Sequence, residues 1–279
     1  MNDRSVTRKH CRLLLFCHSL GSGFFYLLPI TFLCLIINAT IVNSFTNEEM
    51  AEMQSIIRNR PVGERIVFWA EKFIGTPYDK DPQGDYVTKK TIIADERVDC
   101  MYLVFRSVEL AISNNPEETI TAALDKRFHT RGILVNGLVA NYEDRFEYGE
   151  DMIDSGKWGT EITAALGKTT PIKDDRNDVS LGILSTGELK KALGQLQSGD
   201  LIFFIKNPAK RVRDEFVGHM GIIKLENAPK DVQLLHAGGT KAKGGLVNKV
   251  LLTDYLKTTP YIGARITRLN EEGSEKREE

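Results

Sequence analysis

The sequence predicts an α+β fold in which helices come first and an antiparallel sheet comes last. Three observations carry that reading. In the first half, apolar side chains recur at helical spacing and are punctuated by capping residues, glycine and proline. From Leu201 onward the runs LIFFI, VGHMGII, VQLLHA, LVNKVLL and YIGARITRL are short, apolar and separated by turns, as strands of a meander are. Strands and helices do not alternate, which argues against a doubly wound parallel sheet.

The elements follow in order. Residues 46–59 begin acidic (Glu48, Glu49) and end basic (Arg58) before Pro61, the charge order that suits a helix dipole. Residues 64–74 (ERIVFWAEKFI) form a second amphipathic helix, stopped by Gly75 and Pro77. Residues 78–97 are polar and turn-rich and read as a surface loop. The run CMYLVFRSVELAI, residues 100–112, is apolar at helical spacing, and Asp99 stands at its start as a cap. Residues 115–128 form another helix. Between about residues 114 and 186 the pattern is irregular. The stretch NYEDRFEYGEDMIDSGKW mixes aromatics with acids, and the region reads as a largely helical insertion. The final EEGSEKREE, residues 271–279, is a solvated, disordered tail.

The first 44 residues differ from the rest. Arg4, Arg8, Lys9 and Arg12 precede a stretch from Leu13 to Thr46 that contains no Lys, Arg, Asp or Glu, with FFYLLPITFLCLII as its most apolar part. A basic leader followed by an apolar run is the order of a secretory signal, with cleavage expected near residues 39–44; uncleaved, it would serve as a membrane tether. Either way, export to a bacterial periplasm or cell envelope is expected. The remaining residues 45–270 are expected to form a single domain. The 37 basic and 38 acidic side chains leave a net charge of -1, and setting the leader aside takes the rest to about -4. Neither value provides a field for binding nucleic acid. Of four cysteines, Cys11, Cys17 and Cys34 lie in the leader and Cys100 is alone beyond it, so no internal disulfide is expected there. A lone thiol in an exported domain is either a small buried hydrophobe or a nucleophile.

Chemistry favours the nucleophile when the histidines are considered with it. Cys100 opens a helix, where free N–H groups and the dipole are expected to lower its pKa. Beyond the leader there are three histidines, and two of them, His219 and His236, lie inside strand-like runs. If those strands are neighbours, both imidazoles can face Cys100, one as base and one orienting it. No Cys-x-x-Cys, close His pair or HExxH helix supports a metal site, and no cofactor is expected.

Five elements in order then carry a resemblance. GTPY at residues 75–78, Asp99-Cys100 opening an apolar helix, LQSGDLIFF, GHMGII and LLHAG look like the NlpC-type cell-wall cysteine hydrolases over roughly residues 62–268. The resemblance implies a papain-like fold with the nucleophile helix packed on an antiparallel sheet, and no metal. It implies Cys100 as nucleophile, His219 as base, His236 as the orienting member and Tyr78 as a helper of the oxyanion. Two positions depart from the family pattern: Met101 follows Cys100 where the family usually has serine, and DKDPQGDYVTKK follows Tyr78 in place of a glycine-rich stretch.

The insertion is similar to the N-acetylmuramoyl-L-alanine amidase-like branch. That branch implies hydrolysis of the amide between N-acetylmuramic acid, in its 1,6-anhydro form, and L-alanine in peptidoglycan fragments (muropeptides). Tyr142, Arg145 and Trp158 are candidates to grip the sugar or a peptide carboxylate. The alternatives are a γ-D-glutamyl-diaminopimelate endopeptidase using Asp99 to bind the substrate amine, a non-catalytic wall-binding protein, and a thiol acyltransferase.

Overall fold

In the computed structural model, described over residues 45–174, 179–211, 215–226 and 231–270, helices and strands occur in the expected order. The leader and the tail at 271–279 lie outside the described residues, among which no helix is long and apolar enough to cross a membrane. Helix α1 (Asn47–Ile57) starts with a capping box in which Thr46 and Glu49 satisfy each other's backbone N–H groups. Helix α2 (Val62–Lys72) follows Pro61, and α3 (Cys100–Ile112) is capped by Asp99, whose Oδ1 accepts the Tyr102 N–H at 2.8 Å. Helix α4 (Pro116–Lys126) carries proline at its first position, behind the cap Asn115. The expected loop after Tyr78 includes a one-turn helix, Asp85–Thr88.

The insertion departs from its expected helical character. After a small hairpin (Leu134–Val135 with Leu138–Val139), a 3₁₀ turn and the short helix α5 (Gly149–Asp154), it runs as β1 (Thr160–Glu161), β2 (Thr170–Asp174) and β3 (Val179–Ser185). Its strands join those expected downstream: β4 (Leu201–Ile205), β5 (Val217–Leu225), β6 (Val232–Thr240), β7 (Gly244–Leu251) and β8 (Gly263–Arg268). Helix α6 (Thr186–Lys191) precedes β4, and α7 (Leu252–Thr258) takes up the chain at Leu252, which the sequence reading placed in a strand. The sheet order is β2-β3-β8-β4-β5-β6-β7, with β1 also beside β8, and every pairing is antiparallel.

The sheet separates two apolar layers. Leu201, Phe203, Met220, Ile222, Leu235 and Val247 share one core with α2 and α3, whereas Ile202, Phe204, Ile223 and Leu234 share the other with α6 and α7. The alternation along β4 and β6 is the two-residue period of a strand with both faces covered.

Helix α3 also carries charge into the interior. Arg106 forks Asp95 at 2.7 and 2.8 Å, Arg127 forks Glu109 at 2.6 Å through both nitrogens, and Arg106 lies 3.5 Å from Glu109. All four side chains are buried. Arg127 also donates to the Ile92 carbonyl at 2.9 Å and lies over the rings of Tyr102 and Phe105. Such pairs repay their desolvation only when every partner is present. Glu109→Ala leaves two buried guanidinium groups short of a carboxylate, and is expected to lower stability by about 3–5 kcal/mol in chemical denaturation.

Candidate active site

The position of the cysteine follows from the cap. Because Asp99 ends the incoming loop in extended conformation and α3 begins at the next residue, Cys100 stands at the first helical position. The pairing of β5 with β6 runs from Leu225↔Val232 to Ile222↔Leu235 and goes no further, although both strands continue. Beyond that point β5 keeps its partner β4 and β6 keeps β7. His219 and His236 lie in this divergent part. Continued in register, Gly221 would oppose His236, so the two histidines are diagonal neighbours on one face. The Nε2 of His219 and the Nδ1 of His236 are 2.8 Å apart.

Glycine is required between them. A Cβ at Gly221 would lie 2.7 Å from the Leu235 carbonyl oxygen and 3.2 Å from the His236 Cβ. Around the pair, Tyr261 stacks nearly parallel to His219 at 6.4 Å and Tyr255 meets His236 edge-on at 5.0 Å. The Tyr261 hydroxyl also donates to the Gly218 carbonyl at 3.0 Å, holding the start of β5.

A cleft of about 340 Å³ opens beside them. It is lined by Asp99, Cys100 and Met101 from α3, by Val217 to Met220 from β5, by Arg145 to Gly149 from the insertion, and by Pro82, Gln83, Tyr86 and Glu215. Cys100 and His219 therefore share one surface. With Nε2 engaged by His236, Nδ1 is the ring nitrogen of His219 left for the thiol.

The electrostatics differ from the sequence expectation in one respect. Burial, and then the Asp99 carboxylate, push the Cys100 thiol up to about 12, against the opposing pull of the Met220 and Met101 amides and Lys241. The helix start is outweighed by desolvation and by its own acidic cap. Burial, with the neighbouring His236, pushes His219 down to about 3, and burial pushes His236 down to about 4. Thiol and imidazoles are thus neutral at rest.

The other candidates separate into two groups. Asp99 lines the cleft, with Oδ1 on the helix start and Oδ2 on Lys241 at 2.9 Å. Tyr78 is buried outside the cleft lining, yet close enough for Cys100 and Asp99 to raise its hydroxyl pKa further after desolvation has done so. Arg145 lines the cleft and is oriented by the Tyr142 carbonyl and Glu147, both at 2.9 Å. Trp158 and Tyr142 do not line it. Trp158 is fully buried, stacks on Phe105 at 4.8 Å and donates its indole N–H to the Lys126 carbonyl. Tyr142 is buried against Tyr86 and Phe128 and donates its hydroxyl to the Thr91 carbonyl at 2.5 Å. Both are core residues, and gripping a sugar is not their place. His129 packs edge-on against Phe146 outside the cleft lining.

Residues not anticipated are Lys241, which lies over the Tyr78 ring at 5.8 Å, and Glu150. The fully buried Glu150 accepts the Phe216 and Val217 N–H groups at 2.7 and 3.2 Å and ties the insertion to the strand that carries His219. An acid in the run GEDMID was the only signal for it. Among the described residues no group of three or more His, Cys, Asp or Glu could hold a metal ion.

This is an α+β chain with a helix-borne thiol and a strand-borne histidine in one cleft, the histidine held from behind by a second one. No protein-family model and no curated protein matches it. It is similar in fold to a solved N-acetylmuramoyl-L-alanine amidase from Bacteroides uniformis, at 20% identity and a TM-score of 0.59, over 75% of this chain and 99% of that one. It is also similar to a Legionella pneumophila protein of the DUF1460 family model, at 15% identity and a TM-score of 0.60, over 80% of this chain and 94% of that one. At these identities the likeness is one of fold.

The two neutral histidines make stability depend on pH. In the unfolded chain both titrate near the ordinary 6.5, whereas in the folded chain they resist protonation until about 3 and 4. The folded state therefore binds fewer protons below 6.5, and stability is full above that pH and is lost as pH falls toward 4. Denaturant midpoints measured across this window are expected to fall with pH, and to fall less steeply in a His219→Gln/His236→Gln variant.

Proposed function

We propose that the chain is a cysteine amidase of the papain-like, NlpC-type arrangement, hydrolysing the bond between N-acetylmuramic acid and L-alanine in peptidoglycan fragments, with the 1,6-anhydro sugar as the preferred form. The observation that carries the proposal is the shared cleft: a thiol at a helix start, with a histidine whose far nitrogen is held by a second histidine at 2.8 Å. The fold-level likeness to the Bacteroides uniformis amidase supports the choice of substrate.

In the proposed reaction His219 Nδ1 accepts the Cys100 proton as Sγ attacks the lactyl carbonyl carbon. The Nε2–H of His219 donates to Nδ1 of His236, which fixes the tautomer and ring angle. The oxyanion is met by backbone N–H, with the Tyr78 hydroxyl as a second donor. As the C–N bond breaks, the proton passes from His219 to the leaving alanine nitrogen. Water, deprotonated by His219, then cleaves the thioester, releasing the muramic acid carboxylate and restoring the thiol.

The charge pattern of the cleft favours this bond over one next to a free amine. Each acid lining it already has a basic partner in the protein: Asp99 with Lys241, Glu147 with Arg145, and Glu215 with Lys206. An endopeptidase that binds the substrate ammonium through Asp99 would have to displace Lys241 first. Arg145 is suited to receive a stem-peptide carboxylate.

Mass spectrometry of a muropeptide digest tests the reading. The expected products are the free sugar acid and an intact stem peptide beginning at L-alanine. Fragments cut inside the stem would instead assign the endopeptidase. Cys100→Ala is expected to abolish turnover, and full turnover by that variant would remove the thiol mechanism. His219→Ala is expected to lower kcat by roughly 10²–10⁴-fold. Because protonation of His219 is pushed well below its ordinary range, the acid limb of kcat/KM is expected below pH 6.5.

A further inference from the structure

Among the described residues, the hairpin at the start of the insertion is the largest group of neighbouring exposed aliphatic side chains. Ile133, Leu134, Val135 and Leu138 are 54%, 40%, 51% and 51% exposed, although they fall within six consecutive residues. The turn between them is Asn136-Gly137, both at positive φ (50° and 78°), which is the tight turn that closes a two-residue hairpin. Its base is fixed: Val139 is buried and donates its N–H to the Lys90 carbonyl at 2.8 Å, and the Asn141 side chain accepts the Ile133 N–H at 2.7 Å. The aliphatic tip thus projects from an anchored base.

Successive strand residues point to opposite faces. Val135 and Leu138 pair on one face and are both exposed, while Leu134 shares the other with the buried Val139 and is itself exposed, so at the tip both faces meet water although one is covered at the base. A docking partner that covers one face leaves the other in water, whereas an apolar solvent takes both. From Gly132 to Tyr142 there is no charged side chain. Of the basic residues at the shoulder, Lys89 and Arg131 are paired with Asp85 and Asp125, while Lys90, whose carbonyl anchors Val139, is exposed. The sequence ahead of the described residues adds a second argument. An uncharged stretch from Leu13 to Thr46 runs directly into α1, and if it stays in a bilayer it holds this domain at the surface.

We propose that the hairpin tip inserts into the interfacial layer of a lipid membrane, with Ile133, Leu134, Val135 and Leu138 as the inserting side chains. This contact is independent of the chemistry at Cys100. The test uses the full chain bearing Leu134→Trp, reconstituted with dioleoylphosphatidylcholine vesicles whose acyl chains carry bromine. Trp69 and Trp158 are fully buried and provide a constant background. The expected result is additional blue-shifted emission that brominated lipid quenches, with the same behaviour for Leu138→Trp on the other limb. Water-like, unquenched emission from both variants would overturn the proposal. Blue-shifted emission that bromine does not quench would also overturn it, in favour of a protein occupant such as a second copy or the chain's own apolar leader.

Discussion

The arrangement of the site depends on the place where β5 and β6 stop pairing. An antiparallel ladder carried to the ends of both strands would bind their backbone groups to each other. Here the pairing ends at Ile222 and Leu235, with the two histidines on the divergent side. The start of α3 faces this gap, and the Met220 amide acts on the Cys100 sulfur. The divergence is supported from both flanks: β4 holds β5 through Val217, β7 holds β6 through Thr240, and the Tyr261 hydroxyl fastens Gly218. Glycine at 218 and 221 is part of the same device. A Cβ at Gly218 would lie 2.7 Å from the Tyr261 ring, and one at Gly221 would meet the neighbouring strand.

Behind the thiol, the buried ion pairs join the cysteine helix to the loop before it and to the insertion after it. Asp95 belongs to the loop, Arg106 and Glu109 to α3, and Arg127 to the end of α4. A set of apolar residues could fill that volume, but it would not fix the angle of each element in the way bidentate guanidinium–carboxylate geometry does. The same insertion returns to the sheet through Glu150, whose carboxylate holds the Phe216 and Val217 amides. One wall of the cleft and the strand bearing His219 are therefore positioned together.

Much of this was legible in the sequence where a local rule had one answer. Capping by Asp99, the proline stops and the short apolar runs LIFFI and VQLLHA between turns located the helices and sheet strands, and the lone Cys100 with His219 and His236 marked the residues that the fold brings to one region. The insertion was not legible, because β1 and β3 gain their place by pairing with β8, far later in the chain, and β2 gains its place only through β3, rather than by their own pattern. Tyr142 and Trp158 misled for a related reason. An aromatic residue beside acids reads as a surface ligand contact, but Trp158 and Tyr142 both reach buried carbonyl acceptors and go into the core. Arg106 and Glu109 stand as charges within an apolar helix; the sequence expectation took that run only as apolar and did not foresee their buried partners.

The protonation states give the site its character. Nucleophilic power requires thiolate, yet burial and Asp99 hold Cys100 protonated, and burial holds His219 unprotonated. Lys241, paired with Asp99 at 2.9 Å, offsets part of the acid's influence without removing it. A thiol kept in this form is poorly reactive toward oxidants and adventitious electrophiles, since both attack the thiolate. In the proposed reaction, transfer of its proton to His219 becomes favourable only as negative charge moves onward from sulfur to a carbonyl oxygen met by N–H donors. On that proposal, the burial that suppresses the resting thiol ties its activation to a correctly placed acyl group.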